Sequence, residues 1–175
     1  MKLFPFVLAI LVALPLFAQN KAINASESSV SFKIKNAGMT VDGSFSGITG
    51  SITFDKNNLS SSKFDAQIRT STINTEVNMR DKHLKAEDYF DVGKYPTMNF
   101  VSSSISKQGS SYKVTGKLTI KDVTKEISFP FTVSESTGKV ELKGSFDINR
   151  RDYNVGDKSW MMSDDVTVDL VVAAK

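Results

Sequence analysis

For most of its length the chain alternates apolar and polar residues with a period of two, the pattern of strands that bury one face and wet the other. Val30, Phe32 and Ile34 alternate with Ser31, Lys33 and Lys35. Tyr112, Val114, Gly116, Leu118 and Ile120 alternate with Lys113, Thr115, Lys117, Thr119 and Lys121, and Val140, Leu142, Gly144, Phe146 and Ile148 with Lys139, Glu141, Lys143, Ser145 and Asp147. Phe64, Ala66 and Ile68, then Met98 and Phe100, then Ile127, Phe129, Phe131 and Val133, and last Val166, Val168, Leu170 and Val172 obey the same rule. Pro130 lies on the opposite face of its run, which predicts an edge or irregular position there.

The parity slips once. Val41, Gly43 and Phe45 are odd, whereas Gly50, Ile52 and Phe54 are even. An extra residue between Gly47 and Gly50 flips every later side chain and bends the strand, the kind of corner a closing barrel needs. Counting residues 40–55 as one bent strand gives eight antiparallel strands with no helical layer to cover a flat sheet. A closed barrel buries one face and removes the edges; a two-sheet sandwich is the competing architecture. Gly43, Gly116 and Gly144 fall on the apolar face among large phenylalanines. Either they leave room for a small ligand inside the barrel, or they relieve crowding where strands bend.

Residues 1–18 stand apart from this pattern. Lys2, an apolar run from Leu3 to Phe17 and a small residue at Ala18 predict a secretory signal, with Gln19 as the first mature residue. The run is shorter than the roughly 20 residues of a spanning helix and contains Pro5 and Pro15. The 22 basic residues become one fewer without Lys2, against 19 acidic, so the mature net charge of about +2 gives no case for a nucleic-acid partner. No cysteine is present, so an exported chain must rely on its core. The length predicts one domain, residues 19–175.

Two stretches break the alternation. Asn78–Pro96 gathers charges and the only histidine, His83; Asn78 with Asp81 in a first turn predicts a short helical segment around residues 78–90, lying across one end of the strands. Asn149–Asp164 holds Arg150, Arg151, Tyr153 and the only tryptophan, Trp160. Here two readings stand. In one, an arginine holds a polar or anionic headgroup while Tyr153, Trp160, Met161 and Met162 line the mouth of the barrel. In the other, Arg151 pairs with Asp152 on the surface and Trp160 plugs one end.

Catalytic and metal chemistry find little support. One histidine and no cysteine leave only carboxylates for a metal, and neighbouring Asp164 and Asp165 point to opposite faces. No GxSxG, phosphate-loop or dinucleotide fingerprint is present. Arg80, Asp81 and His83 form the best catalytic candidate, but no nucleophile sits at a fixed spacing from them; the plainer reading has Arg80 and Asp81 capping the helix and His83 packing under it.

RDKHLKAEDYFDVGKYPTMNFVS (80–102), GKLTIKDVTKEISFPF (116–131), INRRDYNVG (148–156) and the earlier GSFSGITGSITFD (43–55) together resemble the YceI family of exported lipid-binding proteins, in the family's order and over essentially the whole mature chain. The resemblance implies a lipocalin-like, eight-stranded antiparallel β-barrel with a helical segment between strands and an elongated apolar tunnel for long amphiphiles such as polyisoprenoids, isoprenoid quinones and fatty-acid amides. The resemblance makes a lipid cavity of the face that the alternation had already assigned, walled by Phe32, Ile34, Phe45, Phe54, Phe64, Phe100, Leu118, Phe129, Phe131, Leu142 and Phe146, with Trp160 from the irregular stretch. It places Asn78, Arg80, Asp81, His83 and Leu84 near the cavity entrance, and Arg150, Arg151 and Tyr153 in the later rim motif. Many members carry a histidine in the loop after the first strand, where this chain has Asn36, so the resemblance carries over the tail site without the headgroup preference.

The expected function is that of a periplasmic carrier or sequestering protein for a long-chain lipid, without turnover, cofactor or metal. A transient membrane contact and a homodimer are compatible with it. A lipid-modifying enzyme with His83 as acid or base, and a ligand-free structural module, are the alternatives.

Overall fold

The computed structural model describes residues 19–175; the expected signal, residues 1–18, lies outside them. Ten strands form one antiparallel sheet: β1 (Asn20–Ala22), β2 (Ser29–Asn36), β3 (Met39–Phe45), β4 (Thr49–Thr53), β5 (Lys63–Arg69), β6 (Thr97–Gln108), β7 (Ser111–Ile120), β8 (Val123–Ser136), β9 (Lys139–Asn149) and β10 (Met162–Ala174). The strand order is β1-β4-β5-β6-β7-β8-β9-β10-β2-β3. The sheet curls on itself around an apolar interior in a lipocalin-like barrel, as alternation with no covering layer of helices requires. The sole α-helix among the described residues, α1 (Asn78–Leu84), interrupts the series between β5 and β6.

The strand count exceeds the expected eight for two reasons. The bent strand is recorded as two, β3 and β4, and the N-terminal β1 was not expected. The corner lies where the parity slip put it: β3 ends at Phe45 and β4 begins at Thr49. Gly50 sits there at φ +127, and a Cβ on it would lie 2.1 Å from the Asp65 carbonyl oxygen of β5. No other residue fits that position.

β1 ties the two flanks of the curl together. On one side it pairs with β4, and Ile23 N donates to Gly50 O at 3.0 Å. On the other, Asn24 N donates to Ala173 O at 2.8 Å and Lys175 N to Ala22 O at 3.0 Å, with Ile23 bridging Ala174. At this end the backbone runs continuously from β4 through β1 to β10.

Pro130 does not lie on an edge strand, since β8 runs between β7 and β9. It does mark an irregularity. The turn between Ser136 and Lys139 directs the N–H groups of even-numbered β8 residues towards β9, and proline has none to give. The β8–β9 ladder accordingly runs only from Phe131↔Gly144 to Ser136↔Lys139, while Val123–Phe131 remain paired with β7.

The glycines on the apolar face are occupied by neighbouring rings. A Cβ on Gly43 would lie 2.2 Å from the tip of the Phe32 ring, and one on Gly116 would lie 2.6 Å from that of Phe100. Both rings therefore lie flat against the wall instead of standing into the interior. The glycines keep the lumen clear by giving phenylalanines a place to lie down, and each bare patch of backbone is covered by a ring from the adjacent strand.

Candidate functional site: an apolar lumen with one polar end

The curled sheet encloses a cavity of about 270 Å³ whose wall is almost wholly apolar. Met162 and Val172, at opposite ends of β10, both line it. At about 3.3 Å per residue they are roughly 30 Å apart along the strand. A space that long with so small a volume is narrow, suited to one extended chain.

One end is shut by interlocked rings. Phe131 meets Phe64 at 5.2 Å, Tyr112 at 5.6 Å and Phe54 at 6.4 Å between centroids, and Phe54 meets Tyr112 edge-on at 5.1 Å. Asp65, Gln67 and Asn99 border the lumen along β5 and β6, whereas Asn36, Thr75, Arg80 and Arg150, also polar residues of its wall, belong to the other end. The two irregular stretches meet there: Gly156 N donates to Asp88 O at 2.9 Å, and Lys121 Nζ, from the β7–β8 turn, donates to Asn154 O at 2.9 Å. Tyr89 stands against Gly156, whose Cβ, if present, would fall 2.6 Å from the ring. Phe90 reaches inward to Phe45, edge-on at 5.6 Å.

Of the expected wall residues, Phe32, Ile34, Phe45, Phe64, Phe100, Leu118, Phe129, Phe131, Leu142 and Phe146 line the lumen. Two do not. Phe54 is buried in the ring cluster behind the closed end. Trp160 is 93% exposed, neither on the wall nor plugging an end, because residues 157–161 carry it outward beyond the start of β10.

The expected rim residues divide similarly. Asn36, Arg80, Arg150 and Tyr153 face the lumen; Asn78, Asp81, His83 and Arg151 are absent from its wall. Asn78 is an exposed residue of the first helical turn, with Val77 in the capping position. Asp81 is buried and accepts from Thr75 N at 2.8 Å and from Thr75 Oγ1 at 2.5 Å. His83 does not pack under the helix: it is exposed, edge-on to Tyr89 at 5.0 Å. Arg151 does not pair with Asp152, which instead meets Lys125 at 2.8 Å.

The lumen's arginines have different duties. Arg150, 5% exposed, donates to the carbonyls of Ser163, Val155 and Asp157 at 2.8 to 2.9 Å and pairs with Asp164 Oδ1 at 2.8 Å. It clamps the turn after β9 to the approach to β10. Arg80 donates Nε to Thr75 Oγ1 at 2.8 Å and Nη2 to Thr75 O at 2.6 Å, and it forms no salt bridge among the described residues. Its remaining nitrogen, Nη1, has no protein partner among them. Tyr153 is 2% exposed, its hydroxyl has no hydrogen-bond partner, and burial pushes the phenol up to about 12. It therefore stays protonated at physiological pH, a donor whose loss of water is uncompensated.

Alternation had no means of finding Ile73, Tyr89, Phe90 and Val155, which also line the lumen from non-periodic segments. Their one signal was an apolar residue inside a polar stretch. Among the described residues no group of three or more His, Cys, Asp or Glu is placed to hold a metal, and no helix is long and apolar enough to cross a membrane.

Comparison with known proteins agrees with this architecture. BcnA of Burkholderia cenocepacia is 27% identical with a TM-score of 0.83, covering 87% of this chain and 99% of its own. A polyisoprenoid binding domain from Saccharophagus degradans shares the fold at 15% identity, with a TM-score of 0.70 over 91% of this chain and 98% of that one. The UPF0312 protein YE1254 of Yersinia enterocolitica is 32% identical over 136 residues, 72% of this chain and 69% of the relative. The UPF0312 protein plu2095 of Photorhabdus laumondii is 38% identical over 99 residues, and that match spans about half of its length, 52%. The model of the YceI-like domain matches residues 22–174, and the chain belongs to that family.

Proposed function

We propose that residues 19–175 form one lipid-binding domain, exported to the periplasm after loss of residues 1–18, that carries or sequesters a long-chain amphiphile without turning it over. A polyisoprenoid, an isoprenoid quinone or a fatty-acid-like chain fits the description. The observation that carries this reading is the shape and polarity of the lumen: long, narrow, apolar along its length and polar at one end. Family membership and the ligand class of the Saccharophagus neighbour point the same way. The exposed position of His83, off the wall, favours binding over acid–base chemistry on a bound lipid.

The tail supplies most of the affinity. Each buried methylene contributes about 0.8 kcal/mol, against about 1 kcal/mol net for a headgroup hydrogen bond. Tyr153 Oη, Arg80 Nη1 and the Asn36 amide can all donate, so the favoured head carries an acceptor oxygen near the tail. Native mass spectrometry of protein purified from its own compartment, followed by organic extraction, tests the reading. One lipid released per chain is the expected result. A protein that arrives empty and takes up no added polyprenyl or fatty-acyl lipid would overturn it.

A further inference from the structure

Scattered exposed apolar residues are ordinary on a protein surface; their gathering at one place is not. Six large apolar side chains are exposed among the described residues, and five of them, Met39, Val77, Met79, Trp160 and Met161, belong to the polar end of the lumen. They come from three separate projections: the β2–β3 turn, the segment leading into β10, and the start of α1. The first two are joined by backbone, since Ala37 N donates to Met161 O at 2.8 Å and Asn36 pairs with Met162. Asn36 and Met162 both line the lumen. The apolar rim is thus continuous with the apolar interior.

We infer that this rim is a docking surface for a lipid bilayer. The inference rests on the proposed lipid cargo for its choice of partner: a tail held in the lumen has to leave and rejoin an apolar phase without crossing water, and these side chains lie at the polar end of the lumen, the end that the ring cluster does not shut. The side chains suit a deformable phase better than a rigid one. Trp160, 93% exposed, and Met79, 84% exposed, stand out singly, whereas a second copy docked by two-fold symmetry needs a matching pocket for each on the same face. An indole flanked by flexible methionines is suited to the boundary between headgroups and acyl chains. Exposed Lys35 and Lys158 adjoin Met39 and Trp160, where their ammonium groups can reach lipid phosphates.

Trp160 is the only tryptophan in the chain, so intrinsic fluorescence reads this surface directly. The mature protein is mixed with vesicles of phosphatidylethanolamine and phosphatidylglycerol, with and without bromine-labelled acyl chains. A blue shift of the emission and quenching by the brominated lipid are expected. In co-sedimentation with the same vesicles, Trp160→Ser combined with Met161→Ser should bind about tenfold more weakly, a penalty of about 1.4 kcal/mol. These exposed side chains contribute little to folding, so the lipid extracted from the variant should match that from the wild type. Emission unmoved by vesicles, or undiminished sedimentation of the variant, would overturn the inference. So would shielding of Trp160 that grows with protein concentration in the absence of vesicles, which would assign the rim to a second copy. A protein that holds lipid but ignores vesicles refutes docking alone, and one that docks but never holds lipid refutes the cargo alone.

Discussion

The two ends of the lumen are built on different principles. At the closed end, Phe54, Phe64, Tyr112 and Phe131 fill space with rings contributed by strands or residues next to them. At the polar end, segments outside the sheet are held by hydrogen bonds that converge on a few side chains, Arg150 and Thr75 above all. Packing makes a stopper that has no need to move. Hydrogen bonding leaves directed donors at the other end, together with groups such as the Tyr153 hydroxyl that the protein itself does not satisfy.

The contrast can be broken most forcefully at the stopper. Phe131→Ala should destabilise the fold by about 4 kcal/mol through lost burial and the cavity left behind, measured by denaturant unfolding. At the opposite end, Arg150→Met should cost about 3 kcal/mol, because three carbonyls and Asp164 lose their partner at once. Arg150→Lys should recover only part of that, one ammonium being unable to reproduce the fork. If Arg150→Met instead melted like the wild type, the polar end would be held by packing after all.

A smaller effect sharpens the comparison through pH. The folded phenol of Tyr153 titrates at about 12, above its unfolded value near 10. Stability is therefore unaffected by this titration below about pH 10 and falls as pH rises towards 12, by at most about 3 kcal/mol. Lysines titrate in the same range, so the measurement is the difference between wild type and Tyr153→Phe. That difference should grow between pH 10 and 12 and stay flat below. Near neutrality Tyr153→Phe should leave stability unchanged or slightly raised, since it removes an unsatisfied buried hydroxyl, while weakening a lipid with an acceptor oxygen by about fivefold. Smallest of all, His83→Ala should shift stability by less than about 0.5 kcal/mol and leave lipid retention intact, being a change at an exposed ring.

The same division governs what could be read in the sequence. Alternation identified the wall, and the parity slip located the corner at Gly47–Gly50, because a two-residue period reports which face a side chain takes. It is silent about height along the barrel. Phe54 is in phase with the wall yet lies behind the closed end for that reason. β1 is three residues long, too short to establish a period. In the irregular stretches no period exists. Nothing in the adjacent pair Arg150 and Arg151 says which becomes a buried clamp, and nothing around Trp160 says whether an indole turns in or out. The partnering of Thr75 with Asp81 and Arg80 depends on a helix start one residue away from where the capping pattern put it, with Val77 taking the cap.

The strap made by β1 also bears on the order of events in folding. Its partners, Gly50 and the Ala173–Lys175 segment, are separated by most of the chain, and the bridge from Ile23 to Ala174 joins residues about 150 apart in sequence. Such a contact comes late, after the entropy of closing a very long loop has been overcome. Until the final strand is in place, the sheet is an open ribbon with its phenylalanines unshielded. The unfinished sheet is thus open to wrong pairing and aggregation until its last strand arrives. Only a finished chain can become a vessel.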